Sequence, residues 1–246
     1  MKNSPEQKTK KLALALVVVN YVSSGKTAMA RQLLQPRLDD APIIPIETIN
    51  KDEGQDNALK ADDFRKAMQA VDIMQAEDRS IIIDVGVSNV ELFLAKMKTE
   101  KAFGDFDYFI VPVNPDKKTM TNSIMLIEDL SNLHKVPASK ILVVFNKTEE
   151  NKSLDEQFGP IINYHSSMKK FTLIRKAVVH ASDVFDLIGV GSLIDAANDK
   201  TDYRAAMRAA TTIEEKEAVS NNRALHKMAG DAVLELDGVF DALFVK

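Results

Sequence analysis

The sequence predicts an α/β fold with an open, mostly parallel sheet, helices on both of its faces and further helices at the C-terminal end. Short apolar runs rich in β-branched residues recur along the chain, and segments with helical apolar spacing separate them. Several runs, such as "SIIID" and "KILVVF", are apolar at almost every position. Such runs are typical of strands buried on both faces of a parallel sheet, with right-handed helical crossovers between them.

Six runs have the length and composition of buried strands. The predicted strands cover residues 12–19, 43–49, 81–85, 108–113, 141–145 and 173–179. The segments between them place apolar residues at i, i+3 and i+4, which predicts amphipathic helices. These segments read "GKTAMARQLL", "ADDFRKAMQAVDIMQ", "NVELFLAKM", "TNSIMLIEDLSNLH" and "LDEQFGPIINYH". Strands and helices therefore alternate along the chain.

The predicted organisation is a flexible segment over residues 1–11 followed by a single domain over residues 12–246. With 246 residues, the chain can bury about three quarters of its unfolded surface. From about residue 200 the sequence becomes a long helical stretch, in which Gly230 and Gly238 are the candidate breaks. This stretch either caps one face of the sheet or presents a surface to a partner.

The composition excludes several kinds of site. The chain has no cysteine, so a disulfide framework and a thiolate metal site are both excluded, and its four histidines lack a spacing that indicates zinc. A formal charge of −4 gives no overall attraction to nucleic acid. The best basic patch, Lys169, Lys170, Arg175 and Lys176, is interpreted as a solvated face. No apolar run approaches the ~20 residues of a membrane span, and we expect a cytoplasmic protein.

The stretch "LALALVVVNYVSSGKTAMARQLL" has two interpretations. In the first it is a secretory signal, with Ala28-Met29-Ala30 as the cleavage site; in the second it is a buried strand, a loop and a helix. A cleavage site closely follows the apolar run of a signal, yet here the polar segment "NYVSSGKT" intervenes, and Glu6 lies in the basic leader. These features favour the strand, loop and helix.

The segment "NYVSSGKT" differs from the P-loop pattern G-x-x-x-x-G-K-[ST] only at Asn20. In a P-loop, Gly25 lets the backbone approach the phosphates of a nucleotide, Lys26 reaches the β- and γ-phosphates, and the Thr27 hydroxyl ligates Mg²⁺. Because asparagine tolerates left-handed backbone, we expect Asn20 to replace the first glycine in that conformation. The predicted cofactor-binding residues of the loop are Asn20, Tyr21, Val22, Ser23, Ser24, Gly25, Lys26, Thr27 and Ala28.

Acidic residues lie at the ends of two of the predicted strands, at the edge where ligands bind in such sheets. Asp84 is predicted to hold Mg²⁺ together with Thr27, and the Gly86 N–H to approach the γ-phosphate. Glu47 is the candidate for orienting the attacking water, and the same loop contains Asp52 and Glu53. The predicted catalytic residues are thus Lys26, Asp84 and Glu47.

The fifth predicted strand ends in Asn146-Lys147-Thr148-Glu149, where a nucleotide-binding fold presents its base-reading loop. The Asn146 amide is predicted to pair with the purine edge, and the Lys147 stem to lie along the ring. The order resembles the guanine signature N-K-x-D, with Glu149 in place of aspartate, which weakens the prediction of guanine. A plain surface turn is the alternative.

Together these segments resemble the ParA/MinD-like ATPases of the SIMIBI class. The resemblance rests on the P-loop, "DVG", "FIVPVNPDKKTMTNSI" and "VVFNK". Within this group the chain is most similar to the StbB-like plasmid stability and transfer family, through "ARQLLQPRL", "PIETINKDEGQDNALK", "DVGVSNVELFLAKM" and "DFDYFIVPVNP". The resemblance covers residues 12–150 well and the remainder poorly.

The resemblance implies a cytoplasmic protein that binds ATP and Mg²⁺, dimerises around nucleotide and works with a plasmid DNA-binding protein of the StbA type. By residue, it gives Lys26 and Thr27 the phosphate and magnesium roles, Asp84 the Walker B role and Asn146 the adenine contact. One departure concerns Tyr21, which occupies the position of the lysine that in these ATPases reaches the nucleotide of a partner subunit. Either Lys117 or Lys118 substitutes for it, or hydrolysis is slow and the dimer is controlled differently.

Two hypotheses of function follow. In the first, the protein is an ATP-dependent switch with slow hydrolysis, in which nucleotide orders the loops around Glu47 and Asp84. A kinase or ligase acting on a small molecule is the enzymatic alternative within the same fold. In the second hypothesis, the P-loop has degenerated and the protein is a non-catalytic adaptor that binds partners through its C-terminal helices.

Overall fold

The computed structural model describes residues 12–47 and 61–245, except for the side chains of residues 61 and 62. Its strands form one sheet in which every neighbouring pair is parallel, in the order β2-β3-β1-β4-β5-β6. The strands are β1 (Ala15–Val18), β2 (Ile43–Ile46), β3 (Ile81–Val85), β4 (Tyr108–Val113), β5 (Ile141–Thr148) and β6 (Val178–His180). The predicted α/β fold with a parallel sheet and C-terminal helices is confirmed.

Helices connect the strands and cover both faces of the sheet. They are α1 (Lys26–Ala28), α2 (Ala61–Ala76), α3 (Val90–Thr99), α4 (Lys117–Glu128), α5 (Leu154–Met168), α6 (Val184–Ile188), α7 (Leu193–Asn198), α8 (Tyr203–Ala209) and α9 (Ile213–Phe244). The short α1 continues as a π-helix, Met29–Leu34, and a 3₁₀ turn, Gln35–Arg37, and we call residues 26–37 the first helical segment. Wide π turns of this kind often occur at functional sites.

Alternate residues of each strand enter different cores, because successive side chains of a strand point to opposite faces. Ala15 and Val17 of β1 belong to the core under α2, α3, α4 and α5. Leu16 and Val18 belong to the core under the first helical segment, α6, α7 and α9. Both faces of the central strands are therefore buried, which explains their continuous apolar sequence.

Four predicted strands have different bounds in the structure. The strand predicted over residues 12–19 covers only Ala15–Val18, and the strand predicted over residues 141–145 extends to Thr148. Residues 173–179 were predicted as one strand, but Thr172 makes an isolated bridge to Leu142, the chain turns at Arg175 and Lys176, and β6 begins only at Val178. The strand predicted over residues 43–49 ends at Ile46, and residues 48 and 49 lie outside the described part.

The C-terminal helix α9 is continuous, so the predicted breaks at Gly230 and Gly238 are wrong. A capping box between Thr212 and Glu215 begins the helix, and an interior glycine costs only about 1 kcal/mol relative to alanine. The second half of α9 caps one face of the sheet, which was one of the two roles expected for this stretch. Its buried residues are Ala229, Leu236, Val239, Phe240 and Leu243.

The continuity of α9 makes Gly230 a site where alanine is expected to stabilise the protein. A Cβ atom at Gly230 would have no neighbour within 4 Å, so Gly230→Ala is expected to raise the free energy of unfolding by about 0.5–1 kcal/mol in urea titrations. Gly25→Ala is the contrasting variant and is expected to lower it by more than about 1 kcal/mol, because Gly25 has a φ of 86°. A loss of stability in Gly230→Ala would show that the helix does break there.

Candidate functional site

The loop between β1 and the first helical segment is tightly packed around Gly25. This glycine has a φ of 86°, and a Cβ atom there would lie 2.6 Å from the side-chain nitrogen of Asn146. Both the backbone conformation and the lack of space therefore require glycine. The side chain of Asn146, near the end of β5, packs against the loop at this glycine.

Lys26 is buried against its own loop, with 6% of its surface exposed. Its ammonium group donates hydrogen bonds to the carbonyl oxygens of Asn20 at 3.1 Å and Val22 at 3.0 Å. Burial lowers the pKa of Lys26, and the neighbouring charge of Asp84 opposes that shift. The ammonium thus lies over the loop in the position from which it can exchange carbonyl oxygens for phosphate oxygens.

The two residues predicted to hold Mg²⁺ are in direct contact. The Thr27 hydroxyl donates a hydrogen bond to Oδ2 of Asp84 at 2.7 Å. This contact follows from the sheet, because β1 and β3 are neighbours with Val18 level with Asp84. Paired hydroxyl and carboxylate oxygens at a strand end fit the hard oxygen ligands that Mg²⁺ prefers.

Asp84 is 5% exposed, and burial raises its pKa. Smaller effects act in both directions: the Thr27 hydrogen bond, Lys26 and Arg31 lower the pKa, whereas Glu47 raises it. Burial therefore makes the ionised carboxylate costly, and the nearby cations offset only part of that cost. An acid in this state is suited to binding a metal ion, which would compensate its charge.

Asn20 anchors the loop instead of lining it. Its backbone is not left-handed, so the expectation that it imitates the missing glycine is wrong. Its side chain is fully buried and donates to the Pro112 carbonyl at 2.8 Å and to the Ser123 hydroxyl at 2.7 Å. Asparagine is thus used here to attach the loop to β4 and α4, a role that a glycine could not perform.

Tyr21 is also turned into the protein. Its hydroxyl donates to Oδ2 of Asp129 at 2.6 Å, at the point where α4 becomes a π-helical turn. Burial is the main cause that raises the pKa of Tyr21, and the bond to Asp129 adds to it. A side chain held in this way is not available to a second subunit.

The remaining predicted residues of the loop differ in their exposure. Val22 is partly buried, Ser23 is exposed, and Ala28 lies within α1. Ser24 is fully buried, and its hydroxyl has no hydrogen-bond partner in the described structure. A buried hydroxyl without a partner is unusual and fits a loop that is completed by a ligand.

Asn146 supports the P-loop in this structure. Its side-chain nitrogen donates to the Ser24 carbonyl at 2.9 Å and to Oδ1 of Asn114 at 3.3 Å, with 5% of the residue exposed. The predicted contact of Asn146 to a purine edge stays a prediction. Lys147 is exposed with a φ of 56° at an irregularity of β5, and its predicted contact along the ring stays a prediction.

The ends of β2 and β3 are joined by a hydrogen bond at Gly86. Its N–H donates to the Ile46 carbonyl at 2.9 Å, so the predicted approach to a γ-phosphate requires that this bond break. A Cβ atom at Gly86 would lie 3.1 Å from the same oxygen. Glu47 is exposed beside this bond, whereas Asp52 and Glu53 lie outside the described residues.

A cavity of about 890 Å³ opens beside the contact between Thr27 and Asp84. The residues that line it are Thr27, Arg31, Gln35, Pro36, Asp40, Ile43, Pro45, Glu47, Asp84, Val190, Gly191, Ser192, Ile194 and Asp195. A second cavity of about 260 Å³ shares Thr27, Arg31 and Val190 with it. The loop between α6 and α7 thus borders the site, which the sequence analysis did not predict.

The sequence analysis did not identify Arg31 or Gln32 as residues of the site, although the spacing of Arg31 from the P-loop indicates such a position. Arg31 follows Thr27 by four residues, which places both on one side of a helix. Gln32 is 4% exposed; its side chain donates to the Gly191 carbonyl at 2.7 Å and accepts from the Leu193 N–H at 3.1 Å. It thereby fixes the loop between α6 and α7 to the first helical segment.

Other predictions also have a structural outcome. Met29 and Ala30, part of the alternative cleavage site, are buried helical residues, which confirms the strand, loop and helix.

Across residues 12–47 and 61–245, no three His, Asp or Glu residues are grouped as a metal site. The helices of the same ranges lack one with the length and apolar character needed to cross a membrane.

The raised pKa of Asp84 gives a prediction for stability against pH. When the folded-state pKa of an acid is raised, stability is lost as pH rises through that pKa, and Asp84→Asn removes the loss. We expect the variant to melt at a higher temperature than the wild type at pH 7, and the difference to shrink as pH falls toward 3.8. Thermal unfolding across this range measures the effect, with Asp72→Asn on the exposed side of α2 as the control. A difference that does not depend on pH would contradict the assignment.

Comparison with known proteins identifies the fold. No protein-family model matches the chain, and no curated protein does. The structure resembles that of a McdA variant from Cyanothece in complex with ATP, with a TM-score of 0.50 and 13% identity over 96% of this chain and 98% of that chain. Apo McdA gives a TM-score of 0.47 at 13% identity, over 94% and 99% of the two chains. The chain therefore has the fold of the ParA/MinD-type P-loop ATPases, to which McdA belongs.

Proposed function

We propose that this protein is an ATP-binding molecular switch with slow ATPase activity. The observation that carries the proposal is the arrangement of Lys26, Thr27 and Asp84 at the carboxyl ends of β1 and β3. A buried ammonium, a hydroxyl and a buried carboxylate at a glycine turn are the groups that a P-loop uses for phosphate and Mg²⁺. Ordinary connections between strand and helix have no need to bury two charged groups.

The residues present fit both ligands of the proposal. Lys26 would exchange the carbonyl oxygens of Asn20 and Val22 for phosphate oxygens, and Thr27 with Asp84 would hold Mg²⁺. When bound, Mg²⁺ neutralises charge on the phosphates and orients them for attack by water. The exposed Glu47 lies at the same edge of the sheet, where it would orient that water.

The switch would act through the bond between Gly86 and Ile46. Because the Gly86 N–H is donated to the Ile46 carbonyl, it becomes available to a γ-phosphate only if the ends of β2 and β3 move apart. Such a movement would displace Glu47 and change the surface presented beside β2. A state with γ-phosphate and a state without it would then differ at a surface that a partner can recognise.

For the biological role we propose plasmid stability, positioning or conjugative transfer in the cytoplasm, together with a DNA-binding partner of the StbA type. The resemblance of residues 12–150 to the StbB-like family supports this role, and the fold shared with McdA is compatible with it. A homodimer formed around nucleotide belongs to the same proposal. Since Tyr21 is bonded to Asp129, such a dimer would not use the lysine contact of the related ATPases.

A non-catalytic adaptor is the second candidate function, and the first half of α9 favours it. Over residues 213–223 this helix is almost entirely exposed, including Ile213 with 70% of its surface accessible. An exposed helical surface of this kind can be offered to another protein. In this candidate function the P-loop would bind nucleotide weakly or not at all.

ATP binding by purified protein separates the two candidates. Lys26→Ala removes a charged donor to phosphate, a contact worth about 1.5–3 kcal/mol, so ATP affinity in the presence of Mg²⁺ is expected to fall by about 10-fold to 100-fold. Isothermal titration calorimetry measures it, with GTP tested in parallel. Lys66→Ala, on the exposed side of α2, is the matched control and is expected to keep the wild-type affinity.

Unchanged ATP affinity in Lys26→Ala would contradict the switch, and no binding by the wild type would favour the adaptor. Tight binding without turnover would leave nucleotide as a structural ligand and remove the ATPase activity from the proposal. Preference for GTP would correct the choice of purine while keeping the phosphate site.

A further inference from the structure

Arg31 lies beside the proposed nucleotide site without any role assigned to it. It belongs to the π-helical part of the first helical segment and is exposed. Its side chain lines both cavities, and in each of them it is accompanied by Thr27. It is the one cationic residue among the described residues that line the larger cavity.

The helix directs Arg31 toward the P-loop. Helical side chains lean toward the N-terminal end of their helix, so the surface covered by Arg31 lies over the turn that contains Thr27. The position of this turn is fixed by the neighbouring residue Gln32, whose side chain is hydrogen-bonded to Gly191 and Leu193 in the loop that borders the same cavity. Arg31 is thereby held on the side of the cavity.

Arg37, a second arginine of the first helical segment, has a structural role. Arg37 has 9% of its side chain exposed and donates to the carbonyl oxygens of Gln32, Leu33 and Val233, besides pairing with Asp237. It attaches the end of the first helical segment to α9. Arg31 differs in being exposed and in facing a cavity that is large enough for phosphate groups.

Arg31 shares its cavity with the proposed magnesium site. Four carboxylates line the same cavity, namely Asp40, Glu47, Asp84 and Asp195. Asp84, which is proposed to hold Mg²⁺ with Thr27, thus lines the same cavity as Arg31. A phosphate bridged to Asp84 by a cation would therefore lie near the guanidinium.

No other cation of the predicted set lies in this position. Tyr21 is bonded to Asp129, and neither Lys117 nor Lys118, which begin α4, is among the described residues that line the two cavities. Lys26 lines neither cavity, and its ammonium group lies over the carbonyl oxygens of the loop. Arg31 is therefore the residue that can supply a second positive charge to the site, in addition to Lys26.

We propose that Arg31 contacts the terminal phosphate of a nucleotide bound to its own subunit, and supplies the positive charge that Tyr21 does not. The inference rests on the proposed nucleotide-binding function. An arginine suits this task, because its planar fork can donate two parallel hydrogen bonds to phosphate oxygens. The charge is provided within one chain and needs no second subunit.

The test compares ATP with ADP, each with Mg²⁺, by isothermal titration calorimetry on the full chain. Arg31→Ala is expected to weaken ATP binding by about tenfold or more and ADP binding by less than about twofold, because only ATP has the terminal phosphate. Arg31→Lys is expected to retain part of the ATP affinity, since the charge remains while the fork is lost. Arg79→Ala is the matched control. Arg79 lies just before the first residue of β3, at the end of the strand away from Asp84, so this variant is expected to change neither affinity.

Each outcome decides the role of Arg31. Equal weakening of ATP and ADP, or a fall in melting temperature that accounts for the loss, would show a structural role and overturn the proposal. Unchanged ATP affinity in Arg31→Ala, together with a loss in Lys26→Ala, would overturn it while the proposed function stands. If the wild type binds no nucleotide, both proposals are overturned.

Discussion

The hydrogen bond between Thr27 and Asp84 is the interaction on which the proposed site depends. It forms because β1 and β3 are adjacent and parallel, so that the loop after one strand meets the last residues of the other. Neither residue would have a defined partner if another strand separated them. This register matters for the site, because a shift by one residue would turn Asp84 to the other face of the sheet, away from the loop.

A second set of contacts connects this site to the C-terminal helices. Gln32 bonds to the loop between α6 and α7, and Arg37 bonds to α9, both from the first helical segment that begins at the P-loop. A displacement of that segment would therefore also move the helices that cover the core containing Leu16 and Val18. The exposed first half of α9 extends from the same helix, which would let a change at the P-loop reach a partner surface.

The sequence was most informative where a pattern has a single structural meaning. Continuous apolar runs predicted the parallel sheet, and the sheet brought Thr27 and Asp84 together as their positions after strands implied. The pattern could not show which way polar side chains of the loop turn. Asn20 and Asn146 are both buried, and the side-chain nitrogen of each donates to a backbone carbonyl of a distant segment, which the local sequence did not indicate.

Contacts between distant parts of the chain were the least predictable. Gln32 meets residues more than 150 positions away, and no local pattern marks such a pairing. Arg31 was overlooked for a different reason, since an exposed arginine on an amphipathic helix is ordinary until a cavity is found beside it. The glycines of α9 show the opposite error, because local propensity predicted breaks that the packing of Leu236 and Phe240 overrides.

The most direct test of the central claim is the dependence of ATP binding on Mg²⁺ in the wild type and in Thr27→Ala, measured by calorimetry with Mg²⁺ and with EDTA. If Thr27 and Asp84 form a magnesium site beside the phosphates, Mg²⁺ will strengthen ATP binding in the wild type and much less in the variant. Equal ATP affinity with and without Mg²⁺ in the wild type would contradict the account.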